Sequence, residues 1–210
     1  MLNKIGCIVC LFLVFSEIQA QKIMEKSWNS NQFERIEIIS DEIYHVKIIS
    51  EATETIYVNT KVEGEHSENI VLLISEANKT LSLTHGFTPY LVMQNDKLAA
   101  HKVISIEMEI RVPPHFKVII NGAITSVETE GAFNNIQLDL GSGNCVLKNF
   151  KGNAQLNSKD GNILVFAEKT VFGEAKSRAG SVKNELPKEG QFFIKAESVN
   201  GDITLLKSQN

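Results

Sequence analysis

Glycine recurs through the second half of the chain with a spacing of about twenty residues. An apolar residue lies five positions before each of these glycines, and a small polar residue follows each one. Such self-similarity is typical of a solenoid, in which each coil contributes strands and a turn and stacks on the next. The glycines are Gly143, Gly161, Gly180 and Gly201, in LDLGSGNCVL, LNSKDGNILV, AKSRAGSVKN and AESVNGDITL.

A second marker accompanies the repeat, because a phenylalanine precedes each glycine by eight to eleven residues. Glycine adopts positive φ at low cost, so the four glycines are predicted at the corners of the coils. Stacking of coils about 4.8 Å apart would bring the phenylalanines into a ladder within the core. A meander of four strands with regular turns is the alternative interpretation. The phenylalanines are Phe133, Phe150, Phe172 and Phe192.

The first half of the chain alternates apolar and polar residues in short β-branched runs separated by polar breaks. This pattern predicts an antiparallel β-hairpin region over residues 33–122, followed by a β-solenoid of about four coils over 123–210. The two regions are expected to form one all-β structural unit. Residues 21–32 are polar and patternless, which predicts a flexible lead-in. Residues 87–101 interrupt the strands and are interpreted either as an exposed tip or as a cap on the core.

The N-terminus carries Lys4, an uninterrupted apolar run over residues 5–15, and a polar stretch that ends in Ala20. Eleven apolar residues are too few to cross about 30 Å of hydrocarbon comfortably as a helix. Residues 1–20 are therefore predicted to be a cleavable signal peptide, with a retained anchor as the alternative. We expect the protein to be exported to the periplasm, the cell surface or the medium.

Little in the composition points to a catalytic or cofactor site. The net charge is −4 with scattered cations, which argues against nucleic-acid binding. Cys145 is the one cysteine beyond residue 20, so an intramolecular disulfide is excluded and a buried side chain is expected. Asp139, Asp160 and Asp202 occupy different offsets from their glycines, so calcium is not expected. Neither a cofactor, nor a metal, nor a catalytic residue is predicted.

Taken in order, these features resemble those of a known group of proteins. A β-rich region, a strand ending at Val112-Pro113 and then glycine-marked coils resemble the putative adhesin families of exported bacterial envelope proteins, of the DUF4097 and DUF2807 type. The resemblance extends over residues 33–207. It implies a β-helix-like fold, export, and a surface or adhesive role, and it carries over no catalytic residues.

Two functional hypotheses follow. The first is a non-catalytic cell-envelope protein, an adhesin-like binding or structural module for a glycan or for an envelope or surface protein. The alternative is a β-helical lyase or hydrolase acting on an extracellular polysaccharide, with Asp139 and Asp160 brought together from adjacent coils. An uncapped terminal coil also predicts self-association through the C-terminal strand, which Pro at Thr204 would disrupt.

Overall fold

The computed structural model describes residues 21–64, 67–88 and 104–209. The predicted signal peptide and most of the predicted 87–101 loop lie outside these residues. Two short 3-10 helices lie at Ser30–Gln32 and Ser67–Asn69. The strands are β1 (Lys22–Asn29), β2 (Arg35–Ser40), β3 (Ile43–Ser50), β4 (Thr55–Gly64), β5 (Ile70–Ala77), β6 (Thr80–Phe87), β7 (Ile104–Val112), β8 (Lys117–Gly122), β9 (Ser126–Leu140), β10 (Cys145–Ser158), β11 (Ile163–Ala167), β12 (Val171–Ser177), β13 (Val182–Asn184), β14 (Phe192–Ser198) and β15 (Ile203–Lys207).

Alternation of apolar and polar residues accounts for these strands, because successive side chains point to opposite faces of a sheet. In β7, Ile106, Met108 and Ile110 are buried, whereas the intervening Glu107 is exposed. The buried side chains of all regions form one apolar core. The all-β prediction is confirmed, and no helix among the described residues has the length and apolar character needed to cross a bilayer.

The strands form two hydrogen-bonded rows that share β9 and β10. We call β5–β6–β2–β8–β9–β10–β14–β12 sheet I and β1–β4–β7–β3–β9–β10–β11–β15–β13 sheet II. The first part of β9 pairs with β3 in sheet II, and its second part pairs with β8 in sheet I. Likewise, β10 pairs with β11 first and with β14 afterwards. Each long strand therefore passes from one sheet to the other.

The repeating unit of the solenoid is a strand of sheet I, a corner, and a strand of sheet II. Pairing between units is parallel, as stacked coils require. Six such units have their corner within the described residues: unit 1 (35–50), unit 2 (117–131), unit 3 (133–150), unit 4 (151–167), unit 5 (171–184) and unit 6 (192–207). In addition, β6 and β7 pair in parallel with the two strands of unit 1. Units 3 to 6 correspond to the four predicted coils, and the solenoid is confirmed with two further units ahead of them.

The last two units stack in the reverse of their chain order. In sheet I, β14 lies between β10 and β12, and in sheet II, β15 lies between β11 and β13. Unit 6 supplies fully buried apolar side chains, whereas all three residues of β13 in unit 5 are exposed. The more apolar unit therefore takes the inner position, and the short, polar unit 5 forms the edge.

This order corrects the predicted self-association through the C-terminal strand. Thr204 pairs with Leu164 on one side and with Lys183 on the other, so it lies inside sheet II. The free edge is instead β12–β13, a short edge that carries charged side chains such as Lys176 and Lys183. Short, charged edges oppose strand pairing between molecules.

The predicted flexible lead-in at 21–32 is also corrected, because residues 22–29 form β1. This strand pairs antiparallel with β4 along its full length. The Lys22 ammonium donates to the carbonyl oxygen of Ile70 at 2.6 Å, and Trp28 Nε1 donates to Glu76 Oε1 at 2.8 Å. These bonds join the first strands of sheets I and II. A polar, patternless sequence suits an edge strand that has one half-buried face and one exposed face.

The predicted hairpin region at 33–122 is only partly antiparallel. The β5–β6 hairpin and the β1–β4–β7 strands are antiparallel, and Asn78 and Lys79 take positive φ at the hairpin turn. However, β2 pairs in parallel with β6 and β8, and β3 pairs in parallel with β7 and β9. Residues 35–50 are thus the first solenoid unit. Apolar alternation cannot distinguish the two cases, because it specifies the buried face and not the partner strand.

Candidate functional site

Each corner of the later coils is closed by a serine that the sequence reasoning missed. The hydroxyls of Ser158, Ser177 and Ser198 each accept a hydrogen bond at 2.9 Å from the backbone N–H of the glycine three residues later. This is local side-chain-to-backbone turn chemistry. The signal was present, because serine lies three residues before Gly161, Gly180 and Gly201. At the remaining corner, Leu140 lies three residues before Gly143, so no serine closes it.

The corner glycines are required by close approach more than by positive φ. Among the four predicted corner glycines, Gly143 alone has positive φ, at +109°. A Cβ on Gly161 would lie 2.6 Å from the carbonyl carbon of Gly143, and one on Gly201 would lie 2.6 Å from that of Gly161. The predicted positions are corners, but the predicted reason is corrected: a side chain would collide with the backbone of the neighbouring coil.

The small polar residue after each glycine forms a ladder along the corners. The backbone N–H of Asn162 donates to Asn144 Oδ1 at 3.1 Å, and that of Asp202 donates to Asn162 Oδ1 at 2.8 Å. The N–H of Ser181 then donates to Asp202 Oδ1 at 2.7 Å, and this bond holds the pKa of the Asp202 carboxyl below its usual value. The ladder follows the stacking order of the units. These polar side chains are used within the fold.

The predicted phenylalanine ladder forms in part. Phe133 and Phe150 are buried and stack with ring centroids 6.4 Å apart, and Phe192 is half-buried against the core. Phe172 does not join them, because Val171 takes the buried position opposite Phe192. One residue along a strand reverses the face. Phe172 therefore contacts Phe193, at 5.0 Å.

The candidate reactive groups are either buried or bonded to separate partners. Cys145 is buried, and desolvation raises the pKa of its thiol to about 12, so the thiolate is absent near neutral pH. Asp139 accepts from Asn157, whereas Asp160 accepts from the side chain of Asn200 in a corner. Within the described ranges, no three His, Cys, Asp or Glu residues are placed to hold a metal ion.

The outer face of sheet I instead presents an ordered array of amide side chains, which we call the amide face. Three adjacent strands, β8, β9 and β10, align their outward residues in rows across the sheet. The rows are Lys117–Asn135–Asn153, Ile119–Gln137–Gln155 and Asn121–Asp139–Asn157. Six of these nine side chains are amides, and all nine are at least partly exposed.

Some members of the amide face are tied to one another. Asp139 accepts from Gln137 Nε2 at 3.2 Å and from Asn157 Nδ2 at 2.6 Å. Asn153 Oδ1 accepts from the backbone N–H of Phe193 at 2.9 Å. The side-chain amides of Asn121, Asn135 and Gln155, by contrast, have no hydrogen bond with any described residue. The face thus combines fixed groups with groups that are free to bind.

The amide face continues onto the last two units with different chemistry. In the middle row, Gln155 is followed by Lys195 and then by Glu174. In the row that contains Asn153, the half-buried Phe193 and Phe172 follow, so an aromatic pair lies at the end of that row. Toward β12, the amides are therefore followed by aromatic side chains in one row and by charged side chains in the other two.

A repeated sequence pattern indicates this face, although it was not used in the prediction. Residues 135–139 (NIQLD) and 153–157 (NAQLN) share one pattern of alternating polar residues, 18 positions apart. Alternation places Asn, Gln and Asp or Asn on the outer face of each strand, and the repeat period places them side by side. The spacing equals that between Gly143 and Gly161, which fixes the register.

Comparison with solved structures identifies the same fold. A crystal structure titled as a putative cell adhesion protein from Clostridium sporogenes ATCC 15579 matches with a TM-score of 0.63 and 15% identity, covering 90% of this chain and all of that one. A putative adhesin from Bacteroides fragilis NCTC 9343 also matches, with a TM-score of 0.37 and 14% identity, over 90% of this chain and 98% of that one. None of the curated proteins matches the chain.

A family model gives the assignment by sequence. The model described as Toastrack DUF4097 matches residues 115–210, which span the strands from β8 onward and hold units 2 to 6. The sequence resemblance rested on the same glycine-marked coils. Over residues 115–210, the chain is therefore similar in sequence to the Toastrack DUF4097 family.

Proposed function

We propose that the chain is an exported protein of the bacterial cell envelope that acts as an adhesin-like, non-catalytic binding module. The observation that carries this proposal is the amide face, which is open, polar and built on paired strands rather than on loops. Side chains held by a sheet keep their positions without a ligand, which lowers the entropy that binding must overcome.

Two further observations support the proposal. The structural relative from Clostridium sporogenes is described as a putative cell adhesion protein and shares the fold over its whole length. The N-terminal apolar run with Lys4 and Ala20 has the organisation of a signal peptide, which agrees with a place of action outside the cytoplasm. A protein that holds its ligand on an open face needs no enclosed pocket and no reactive group.

The alternative of a polysaccharide lyase or hydrolase is less well supported. Such enzymes use carboxyl groups that flank one bond at a defined separation. Asp139 and Asp160 each bind a different asparagine, the first on the outer face of sheet I and the second in a corner. In addition, the Asp139 carboxylate accepts two amide donors, which suits a structural role.

Fractionation of the producing cells tests the proposal. We expect the protein in the envelope or the medium, with a mature N-terminus at or near Gln21 on N-terminal sequencing. Cells that lack the gene should attach less well to a matrix or to neighbouring cells, and the gene supplied in trans should restore attachment. A full-length chain retained in the cytoplasm, or unchanged attachment in the deletion strain, would contradict it.

A further inference from the structure

We propose that the amide face is the binding site for an extended chain of neutral sugars, laid across the strands of sheet I. This inference rests on the proposed adhesin-like function and names its surface and its ligand class. It places the contact on units 2 to 4, with the aromatic pair of units 5 and 6 at one end.

The chemistry of the face fits hydroxyl groups. Each amide carries an acceptor oxygen and two donor hydrogens, so it can donate to one hydroxyl and accept from the next. Ionic ligands would instead call for clustered charges of one sign, as in bidentate recognition by Arg. Among the nine outward side chains on β8, β9 and β10, Asp139 is the one carboxylate and Lys117 is the one cation. The face is therefore rich in hydrogen-bonding groups and close to neutral.

The amides of this face differ from the amides of the corners in their hydrogen-bond partners. Asn144 and Asn162 accept backbone N–H groups of the adjacent coil, so they are explained by the fold. The amides of Asn135 and Gln155 have no such partner among the described residues. Yet both recur at the repeat spacing, in adjacent strands and on the same face. A repeated polar group that the fold does not use is available to a ligand.

The geometry fits an extended polymer. Rows of side chains cross the strands at about 4.8 Å intervals, which is close to the length of one sugar in an extended glycan. Successive sugars can thus meet successive strands. At the end of the row through Asn153, Phe193 and Phe172 lie 5.0 Å apart and offer apolar surface to the C–H face of a sugar ring.

The outer face of sheet II lacks this combination. Its first units carry opposite charges in register, such as Lys47 beside Glu109 and Glu128. Its later units present apolar side chains, with Val146 beside Leu164 on adjacent strands. Asn59 on β4 is an outward amide on this face and has no hydrogen bond with any described residue. It therefore provides a matched control.

Isothermal titration calorimetry of the whole chain tests the inference with laminarin, dextran and mannan as neutral polysaccharides and alginate as an anionic one. The double variant Asn135→Ala/Gln155→Ala removes two unpartnered amides. Loss of each hydrogen bond should weaken binding about three- to tenfold. Asn59→Ala should bind as the wild type does. Thermal melting checks that all variants remain folded.

Support requires three results together: binding of at least one neutral polysaccharide, weakening in the double variant, and no change in Asn59→Ala. Affinity for oligosaccharides of that glycan should also rise with length up to about four or five sugars, the number of strands from β8 to β12. Binding of none of the neutral glycans, binding of alginate alone, or equal affinity of the double variant would overturn the inference. None of these failures would alter cell fractionation or attachment, so the proposed function is judged separately.

Discussion

Gly161→Ala is the most direct test of the close packing between coils. The backbone of Gly161 does not need positive φ, so alanine adds no backbone strain of its own. Its Cβ, however, would lie 2.6 Å from the carbonyl carbon of Gly143 and closer still to the carbonyl oxygen. Backbone atoms cannot rotate away as a side chain can, so units 3 and 4 would have to separate at this corner.

The magnitude follows from what that separation would disturb. The N–H of Asp160 bonds the Gly141 carbonyl at 3.0 Å, and the N–H of Asn162 bonds Asn144 Oδ1 at 3.1 Å. Overpacking costs about 1–3 kcal/mol, and each weakened hydrogen bond adds about 1 kcal/mol. We therefore expect the free energy of unfolding to fall by about 3–5 kcal/mol. For a chain of this size, that corresponds to a melting temperature roughly 10 °C lower.

Urea unfolding and calorimetry at neutral pH measure the effect. Gly86→Ala is the matched control, because its Cβ would meet the terminal methyl of Leu73 at 2.8 Å, and that side chain is 48% exposed and free to rotate. Its free energy of unfolding should stay within about 1 kcal/mol of the wild type. If Gly161→Ala were equally mild, close approach would not be the reason for glycine at these corners.

Three further changes have defined outcomes. Thr204→Pro should lower the free energy of unfolding by more than about 2 kcal/mol in urea titrations, because Thr204 lies between β11 and β13. Unchanged stability together with a changed elution volume in size-exclusion chromatography would instead support self-association through the C-terminal strand. Cys145 should resist a thiol reagent at pH 8 until urea unfolds the chain, since burial raises its pKa to about 12; rapid labelling of the native protein would contradict this. Asp202→Ala should lower the melting temperature at pH 7, and the difference should shrink as the pH falls from the unfolded pKa of 3.8 through the lower folded pKa, because a depressed folded pKa stabilises the fold until the carboxylate is protonated; a difference that does not change with pH would exclude the charge of the Asp202 carboxylate as its source.

The repeat made much of the fold predictable. Glycine spacing indicated the corners and the stacked coils, and apolar alternation indicated the buried faces, so Gly161 and Phe150 were placed with the right neighbours. Which strands pair with each other was harder to predict from the sequence. Parallel pairing of β2 with β8 joins residues about eighty positions apart, and local pattern carries no information on such a distant partner. The strand β1 was not predicted because residues 21–32 show no alternation of apolar and polar residues.

The candidate site was hidden for a different reason. Each of the segments 135–139 and 153–157 is an ordinary half-exposed strand when read alone. The amide face exists only after the 18-residue period lays one segment beside the other, with Asn135 opposite Asn153 and Gln137 opposite Gln155. Neutral amides also belong to no catalytic or metal motif, so motif patterns in the sequence do not indicate this face.

Reversal of the last two units gives the fold a dependence on its C-terminal residues. Unit 5 has no partner in unit 4, since β12 pairs with β14 and β13 pairs with β15. Its strand pairing with the rest of the solenoid runs through unit 6, which pairs with β10 and β11. Unit 5 thus forms the edge of both sheets at this end, whereas the amide face lies on strands paired on both sides. The amide face is accordingly built on interior strands of sheet I, and only the aromatic pair of the proposed site extends to the edge strand β12.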